Sequence, residues 1–305
     1  MQTVLGSNGQ IGHEIADEIY RHYTKDIRLV GRKPKKIHDT DELVAADLMS
    51  YDDTLRAITG SDIVYFAVGM PADSAMWEAR FPIMLDNVIK ACEATNSKLA
   101  FFDNTYMYDK NADAQVEHSR FHPVGRKSVV RAQMADMVKE AMAKHKIEAL
   151  IARAPEFYGP DKTQSFTNSL VFNRIKAGKR AFIPVSDKVL RTLIWTPDAS
   201  RAIVLLANTP DAYGQTWHLP TDRSVTYETI ITIAENSLGK TINYTVLPMW
   251  VFKIASRFSH PVKELMELLP RYRYDNIFKS NKFKQRFPDF KVTTFEEGIS
   301  KVLND

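Results

Sequence analysis

The chain contains a single cysteine, Cys92, so no internal disulfide can form. That excludes the small disulfide-framed scaffolds of secreted proteins and fits a reducing compartment, so a cytoplasmic location is expected. One thiol cannot complete a thiolate zinc site, and the eight histidines show no metal-ligand spacing, so no metal is expected. No uninterrupted apolar run approaches the roughly 18 residues that a membrane-spanning helix requires. The first apolar run, Thr3-Val4-Leu5, meets Gly6 too soon to be a signal-peptide core. No membrane partner is expected. Charge of one sign is also scarce: 41 Lys and Arg against 37 Asp and Glu leave a net +4. A surplus that small does not call for nucleic acid as a partner. Internal repeats and low-complexity tracts are missing as well.

What is present is an ordinary globular composition, 44% hydrophobic and 26% charged over 305 residues. That length suffices for one large domain or two unequal ones. The first half alternates short β-branched or aromatic runs with longer amphipathic ones. Thr3–Leu5, Ile27–Val30, Leu43–Ala46, Ile63–Val68, Leu99–Phe102 and Ala149–Ala152 predict strands. Ile11–Tyr23, a segment through Leu55 and Ile58, Ser74–Thr95 and Lys127–His145 predict helices. Such alternation implies a doubly wound parallel sheet, an α/β Rossmann fold. After Pro160 glycine and proline recur and the strands are isolated. Thr196-Pro197 there predicts the start of a helix running through Ala207. The expected organisation is a dinucleotide-binding domain over 1–160, with 189–208 returning to it. Residues 161–188 and 209–305 would form a smaller, mixed substrate-binding region.

Gly6, Gly9 and Gly12 fall between the first strand and the first helix. Glycine there permits a tight turn, close approach of backbone to a pyrophosphate, and close packing of helix on strand. The helix N-terminus presents free N–H groups to phosphates. Gly6, Asn8, Gly9, Gln10, Ile11 and Gly12 are therefore candidate cofactor contacts. A plain strand–helix turn is the bland alternative, and the flanking strand and helix argue against it. An NAD site usually carries an acid at the end of the second strand, about 20 residues past the glycines. Here Gly31-Arg32-Lys33-Pro34-Lys35-Lys36 stands instead. Arg32, supported by Lys33, suits a ribose 2′-phosphate and predicts NADP, with NAD as the alternative. A solvated basic turn is the other reading of those charges.

Taken with Asp47-Leu48, Ala67-Val68-Gly69 and Arg153-Ala-Pro155-Glu-Phe157-Tyr158-Gly159-Pro160, this turn resembles the extended short-chain dehydrogenase/reductases. More closely it resembles their NAD-dependent epimerase/dehydratase group. Arg191-Thr-Leu-Ile-Trp195-Thr-Pro-Asp198 resembles that group's R-x-x-x-H-x-x-D segment, with Trp195 where His is frequent. The resemblance covers almost the whole chain. It implies that Asp47 and Leu48 flank the adenine and that Ala67, Val68 and Gly69 line the ribose and phosphates. Pro155 and Phe157 would lie near the nicotinamide, and Arg191 would hold an anionic group of the substrate. Asp47 as a helix N-cap and Arg191 in a surface ion pair are the alternatives.

The resemblance also implies a Tyr and a Lys four residues apart on one helix face, and a Ser or Thr after the fifth strand. These are missing. One register of the helix puts Lys127 and Arg131 at the two positions, and another puts Val124 and Ser128 there. Asn104, beside Thr105, occupies the Ser position. The literal matches Tyr106–Lys110 and Tyr158–Lys162 fall in a loop and across Gly159-Pro160, where the spacing loses its meaning. Two readings follow. In the first, the chain is an oxidoreductase or epimerase-like enzyme of atypical site, acting on a small carbonyl or sugar-like substrate. Tyr106, Tyr108 or Tyr158 would supply the acid from a loop, and Lys127 or Arg131 would hold the ribose. Met70, Asn104, Tyr106, Tyr158, Phe166, Arg191 and Trp195 would line its cleft. In the second, the chain is a non-catalytic protein that senses NADP(H). The basic-aromatic run from Arg271 to Phe287 could stack on single-stranded nucleic acid, but buried aromatics with snorkelling basic side chains are the favoured reading. Oligomeric state stays open, a homodimer included.

Overall fold

The structure is a computed structural model that describes residues 1–160 and 163–304. The chain begins with β1 (Gln2–Leu5), α1 (Gln10–His22), β2 (Ile27–Gly31), β3 (Glu42–Ala45) and α2 (Tyr51–Ile58). It continues with β4 (Ile63–Phe66), α3 (Ser74–Thr95), β5 (Lys98–Asp103), α4 (Arg126–Ala143) and β6 (Ala149–Arg153). Then come β7 (Glu156–Tyr158), α5 (Asn173–Lys176), β8 (Ala181–Pro184), β9 (Leu193–Trp195), α6 (Thr196–Ala207) and β10 (Thr216–His218). α7 (Tyr227–Leu238), β11 (Tyr244–Leu247), α8 (Met249–Ala255), α9 (His260–Leu265), α10 (Asn281–Arg286) and α11 (Phe295–Asn304) follow.

These elements divide between two compact units. The first is Met1–Met107, Arg126–Arg153 and Ala199–Leu219, and the second is Tyr108–Gly125, Ala154–Asp198 and Pro220–Asp305.

The first unit is a seven-stranded sheet in the order β10-β6-β5-β4-β1-β2-β3, with every pairing parallel. This is the doubly wound α/β fold that the alternating pattern predicts. β4 is buried along its whole length, the condition under which a strand reads as a continuous apolar run, and β1 is equally buried although it opens with the polar Gln2 and Thr3. Leu5, Val64, Phe66, Phe101 and Ile151 from the sheet meet Leu85, Val88, Met134 and Val138 from α3 and α4 in one core. Each such side chain taken fully out of water contributes about 1.5–3 kcal/mol. Local chemistry sets the helix ends. Ser50 accepts the Asp53 N–H at the start of α2, and Asp73 accepts the Met76 N–H at the start of α3. Two expectations need adjustment. β4 stops at Phe66, so Ala67 and Val68 open a loop, although the Ala67 N–H still bonds Leu5. The short β10, which sequence periodicity does not mark, pairs with β6 and closes that side of the sheet.

In the second unit, β8 pairs with β11 and β7 with β9, both in parallel. Its core gathers Tyr158, Phe172, Ile183, Trp195, Ile230, Tyr272 and Phe295. In the basic-aromatic run, Tyr272, Phe278 and Phe283 are buried and Tyr274 is exposed. Most of that run's aromatic surface is thus spent on packing. Among the described residues, no helix is long and apolar enough to cross a membrane.

Candidate functional site

In the sheet order the chain runs outward from β1 through β2 and β3, then returns to β1's other side with β4. Open α/β sheets bind ligands at that reversal, beyond the carboxyl ends of the strands. The loops after β1 and β4 meet there, and the glycines explain how closely. Gly6 adopts φ +87°, and a Cβ on it would stand 2.9 Å from the Ala67 carbonyl oxygen. A Cβ on Gly12 would stand 2.4 Å from the Gly6 carbonyl oxygen. Gly9 is looser: its Cβ would lie 3.3 Å from the same oxygen, to which its own N–H donates.

α1 starts at Gln10 behind an extended Gly9 with no side-chain cap. The first-turn amides of Ile11 and Gly12 therefore have no acceptor within the helix, as a phosphate site requires. The Ser7 hydroxyl is buried in the same turn and has no hydrogen-bond partner among the described residues. A close-packed glycine cradle, uncapped amides and an orphaned hydroxyl together fit a dinucleotide pyrophosphate.

Asn8 serves the turn differently from expectation. Its Nδ2 donates to the Lys33 carbonyl at 2.7 Å, and its Oδ1 accepts the Lys35 N–H at 3.0 Å. The side chain thus clamps the segment after β2 to the glycine turn. Arg32 and Lys33 are exposed on that segment. Its nearest buried acid, Asp41, is occupied by the N–H groups of Ile37 and His38 at 2.9 and 2.6 Å.

Asp47 is exposed, with Oδ1 accepting the Met49 N–H at 3.1 Å. It does not cap α2, because Ser50 does. Leu48 is buried in the core, and its carbonyl accepts Asn87 Nδ2. Ala67, Val68 and Met70 are half-buried along the loop after β4, and Gly69 is exposed.

At the end of β5, Asn104 Oδ1 accepts the Tyr106 N–H at 3.0 Å. The half-buried Tyr106 ring lies parallel to Trp77 with centroids 6.1 Å apart. Thr105 is buried. On α4, Lys127 and Arg131 are one turn apart and both point inward. Lys127 is 1% exposed, and its Nζ donates to Ser74 Oγ at 3.1 Å. Arg131 donates to Asp103 Oδ1 at 2.6 Å and to the Phe102 carbonyl at 3.2 Å. Asp103 Oδ2 accepts Arg153 Nε at 2.9 Å. One fully buried carboxylate thus sits between two guanidiniums, stitching α4 to β5 and β6. The expectation that Arg131 holds a ribose is corrected: its donors are committed to the buried Asp103, a charge that cannot be left without a cation. The second register fails on its own terms, since Val124 precedes α4 and Ser128 is buried.

In the second unit the substrate candidates are mostly packing groups. Tyr158 lies on β7 rather than in a loop and is 1% exposed. It packs against Phe172, Trp195 and Phe295. Burial pushes its hydroxyl well above the ordinary tyrosine value, and Asp198 adds to the rise. A loop acid at Tyr158 is therefore a reading the structure corrects. Lys162 lies outside the described residues. The Tyr108 hydroxyl donates to the Val116 carbonyl.

Arg191, 0% exposed, donates to Glu156 Oε2 at 2.6 Å and to the Arg271 carbonyl at 2.7 Å, over the face of Tyr272. Burial opposes its charge, but Glu156, with Tyr272 and Tyr227, outweighs that penalty and raises its pKa above the ordinary value. The Tyr272 hydroxyl donates to the same carboxylate. Arg191 is therefore not in a surface ion pair, and its buried Nε has no hydrogen-bond partner among the described residues. Phe166 stands edge-on to Tyr272, Trp195 is buried on β9, Pro155 is buried, and Phe157 is half-buried on β7. Among the described residues, no group of three or more His, Cys, Asp or Glu could hold a metal ion.

Sequence reasoning missed Ser7, Asp103, Arg153 and Glu156. For Asp103 the sequence held one signal, a lone acid closing an apolar strand, and its pairing with Arg153 emerges only from the register of β5 with β6.

Residues 3–219 match the NAD dependent epimerase/dehydratase family. No curated protein matches the chain. Among solved structures, UDP-glucuronic acid 4-epimerase from Bacillus cereus in complex with NAD is similar at a TM-score of 0.80. It is 14% identical, over 100% of this chain and 98% of that one. UDP-N-acetylglucosamine 4-epimerase from Bacillus cereus gives 0.79 at 14% identity, covering 99% and 95%. UDP-glucose 4-epimerase from Thermus thermophilus in complex with NAD gives 0.77 at 14% identity, covering 100% and 98%. At these identities the likeness is one of fold.

Proposed function

The chain belongs to the NAD dependent epimerase/dehydratase family, and from that premise we propose that it binds a nicotinamide dinucleotide at the Gly6–Gly12 turn and acts on a small sugar-like substrate through an atypical site. The observation that carries this reading is the turn itself, where a Cβ on Gly12 has no room and the amides of Ile11 and Gly12 have no helical acceptor. Neighbours named as UDP-sugar epimerases make sugar nucleotides the first class of substrate to test.

Within the first unit, the amides of Ile11 and Gly12 and the Ser7 hydroxyl would hold the pyrophosphate. Asp47 and Leu48 would border the adenine, and Ala67 to Gly69 the ribose. Exposed Arg32 and Lys33, with no carboxylate at the end of β2, support a preference for NADP, although the family is described as NAD dependent and several of the neighbours, two of those named above among them, hold NAD. A bound nicotinamide would supply hydride transfer at a substrate carbon. The chain's own part is to place the substrate oxygen and move its proton. Tyr106 is the tyrosine left for that role, since Tyr158 is buried among aromatics. Asn104, whose Oδ1 is engaged by the Tyr106 N–H, keeps its amide nitrogen to orient the oxygen.

A second reading, a non-catalytic sensor of NADP(H), draws on the inward commitment of Lys127 and Arg131, which leaves α4 without the family's proton-transfer pair. Parallel titrations with NADPH and NADH, followed by a screen of UDP-sugars for epimerisation or nicotinamide oxidation, separate the two. Tight NADPH binding with turnover lowered in Tyr106→Phe supports the enzyme. Tight binding with no turnover on any sugar nucleotide supports the sensor. Tighter binding of NADH than of NADPH would overturn the cofactor preference.

A further inference from the structure

α8 presents its apolar side chains to solvent. Phe252 on its inner face joins the core of the second unit. Trp250 and Ile254, four residues apart, share the outer face of α8, and Phe258 follows three residues past the helix end in a turn. Trp250 is 62%, Ile254 50% and Phe258 87% exposed. Trp250 and Phe258 are the two most exposed large hydrophobic side chains among the described residues. A helix on the surface of a globular unit normally turns charge outward. A contiguous apolar stripe facing water marks a surface meant to be covered.

The charges around the stripe indicate what covers it. From Thr241 to Lys263 the chain carries no acidic residue, while Lys253, Arg257 and Lys263 are basic and exposed. Aromatic and aliphatic side chains with basic residues between them are the composition of an element lying in the interface of an anionic bilayer. Tryptophan favours the level of the headgroups, and juxtaposed Lys and Arg are drawn to the negative surface. Phe258 is too exposed to line a groove. It projects, as insertion between headgroups requires. We infer that the α8 segment from Trp250 to Phe258 is a peripheral docking site for a membrane surface rich in anionic lipid. Such docking needs no spanning helix. It is reversible, because three apolar side chains and a few cations anchor far less than a spanning helix does.

The test floats the whole protein with vesicles of phosphatidylcholine alone and of phosphatidylcholine with phosphatidylserine. Partition is expected to the anionic vesicles only, and to fall as salt is raised. Trp250→Ala with Phe258→Ala is expected to reduce it roughly tenfold, and Lys253→Glu with Arg257→Glu by at least as much. Dinucleotide affinity, a readout of the fold, should stay unchanged in both pairs. The other three tryptophans, Trp77, Trp195 and Trp217, are buried, so a vesicle-induced blue shift in emission reports on Trp250. That shift should vanish in Trp250→Phe. No partition of the wild-type chain overturns the inference, as does partition that survives the Trp250 and Phe258 substitutions. Self-association without lipid binding, abolished by the same substitutions, also overturns it, because a second copy would then be the occupant.

Discussion

Gly12→Ala tests the cofactor turn most directly. The added Cβ would stand 2.4 Å from the Gly6 carbonyl oxygen and 2.9 Å from the Gly6 carbonyl carbon and the Ser7 Cα. That is about 1 Å short of ordinary van der Waals contact, and the obstacle is backbone, which cannot swing aside as a long side chain can. Either α1 moves away from β1 or the turn opens. Both displace the amides of Ile11 and residue 12 from the place a pyrophosphate would take. Overpacking of this kind costs about 1–3 kcal/mol. Since about 1.4 kcal/mol is a factor of ten, NADPH affinity should fall roughly five- to hundredfold, with a drop of a few degrees in thermal midpoint.

Gly9→Ala is the internal control. Its Cβ would be 3.3 Å from the same oxygen, a contact relieved by a shift of a few tenths of an ångström. Its affinity should stay within about threefold of wild type on the same energetic scale. Calorimetric titration of NADPH into the three proteins, with thermal unfolding alongside, measures both quantities. Wild-type affinity in Gly12→Ala, or equal damage in Gly9→Ala, would refute the steric account of the turn.

Three further outcomes are expected. Arg32→Ala should weaken NADPH by about tenfold or more while leaving NADH within about twofold, as expected for loss of a charge-assisted bond to a 2′-phosphate; equal effects on both cofactors, seen by fluorescence titration, would assign Arg32 to the solvated surface. Asp103→Asn removes the carboxylate between Arg131 and Arg153, whose side chains are 6% and 0% exposed, and should cost about 3 kcal/mol or more in denaturant unfolding, because buried cations lose their counter-ion; an unchanged midpoint would mean that the ion pairs carry little stability. Tyr158→Phe should leave stability within about 1 kcal/mol of wild type or raise it, since the buried hydroxyl has no hydrogen-bond partner among the described residues, and it should spare any turnover that Tyr106→Phe diminishes; a large loss of stability in Tyr158→Phe would reveal a bond that the structure does not contain.

The sheet was legible because short β-branched or aromatic runs and 3.6-residue periodicity survive in almost every element up to β6. Ser74–Thr95 is the span predicted for α3. The glycine turn was legible because its chemistry is backbone geometry, which three glycines announce. β10 was not: three residues, Thr216-Trp-His218, are too few to show a period, and only the register with β6 defines them. The same limit hid β7, so Tyr158 beside Gly159-Pro160 looked like part of a loop. The site was least legible where charge is buried. A lone Arg191 or Arg131 in a sequence suggests solvent, a phosphate or a surface partner. The carboxylates that take them inside, Glu156 and Asp103, lie 35 and 28 residues away along the chain. Nothing in spacing or composition links such pairs before the strands are aligned.

The placement of β10 bears on how this chain can be made and cut. Its three residues bond to β6 only after the ribosome has added more than sixty residues beyond Arg153, most of which belong to the other unit. Until then β6 stands as an open edge, with unpaired N–H and C=O groups ready to recruit a neighbouring chain. A fragment ended near residue 160, the natural place to trim for a cofactor-binding domain, would keep the glycine turn but release that edge. Its foreseeable fate is strand-to-strand aggregation, whereas a fragment joining Arg153 by a short linker to Ala199–Leu219 would retain the cover. Expressing the two side by side would show whether β10 is the stitch that lets the sheet exist alone.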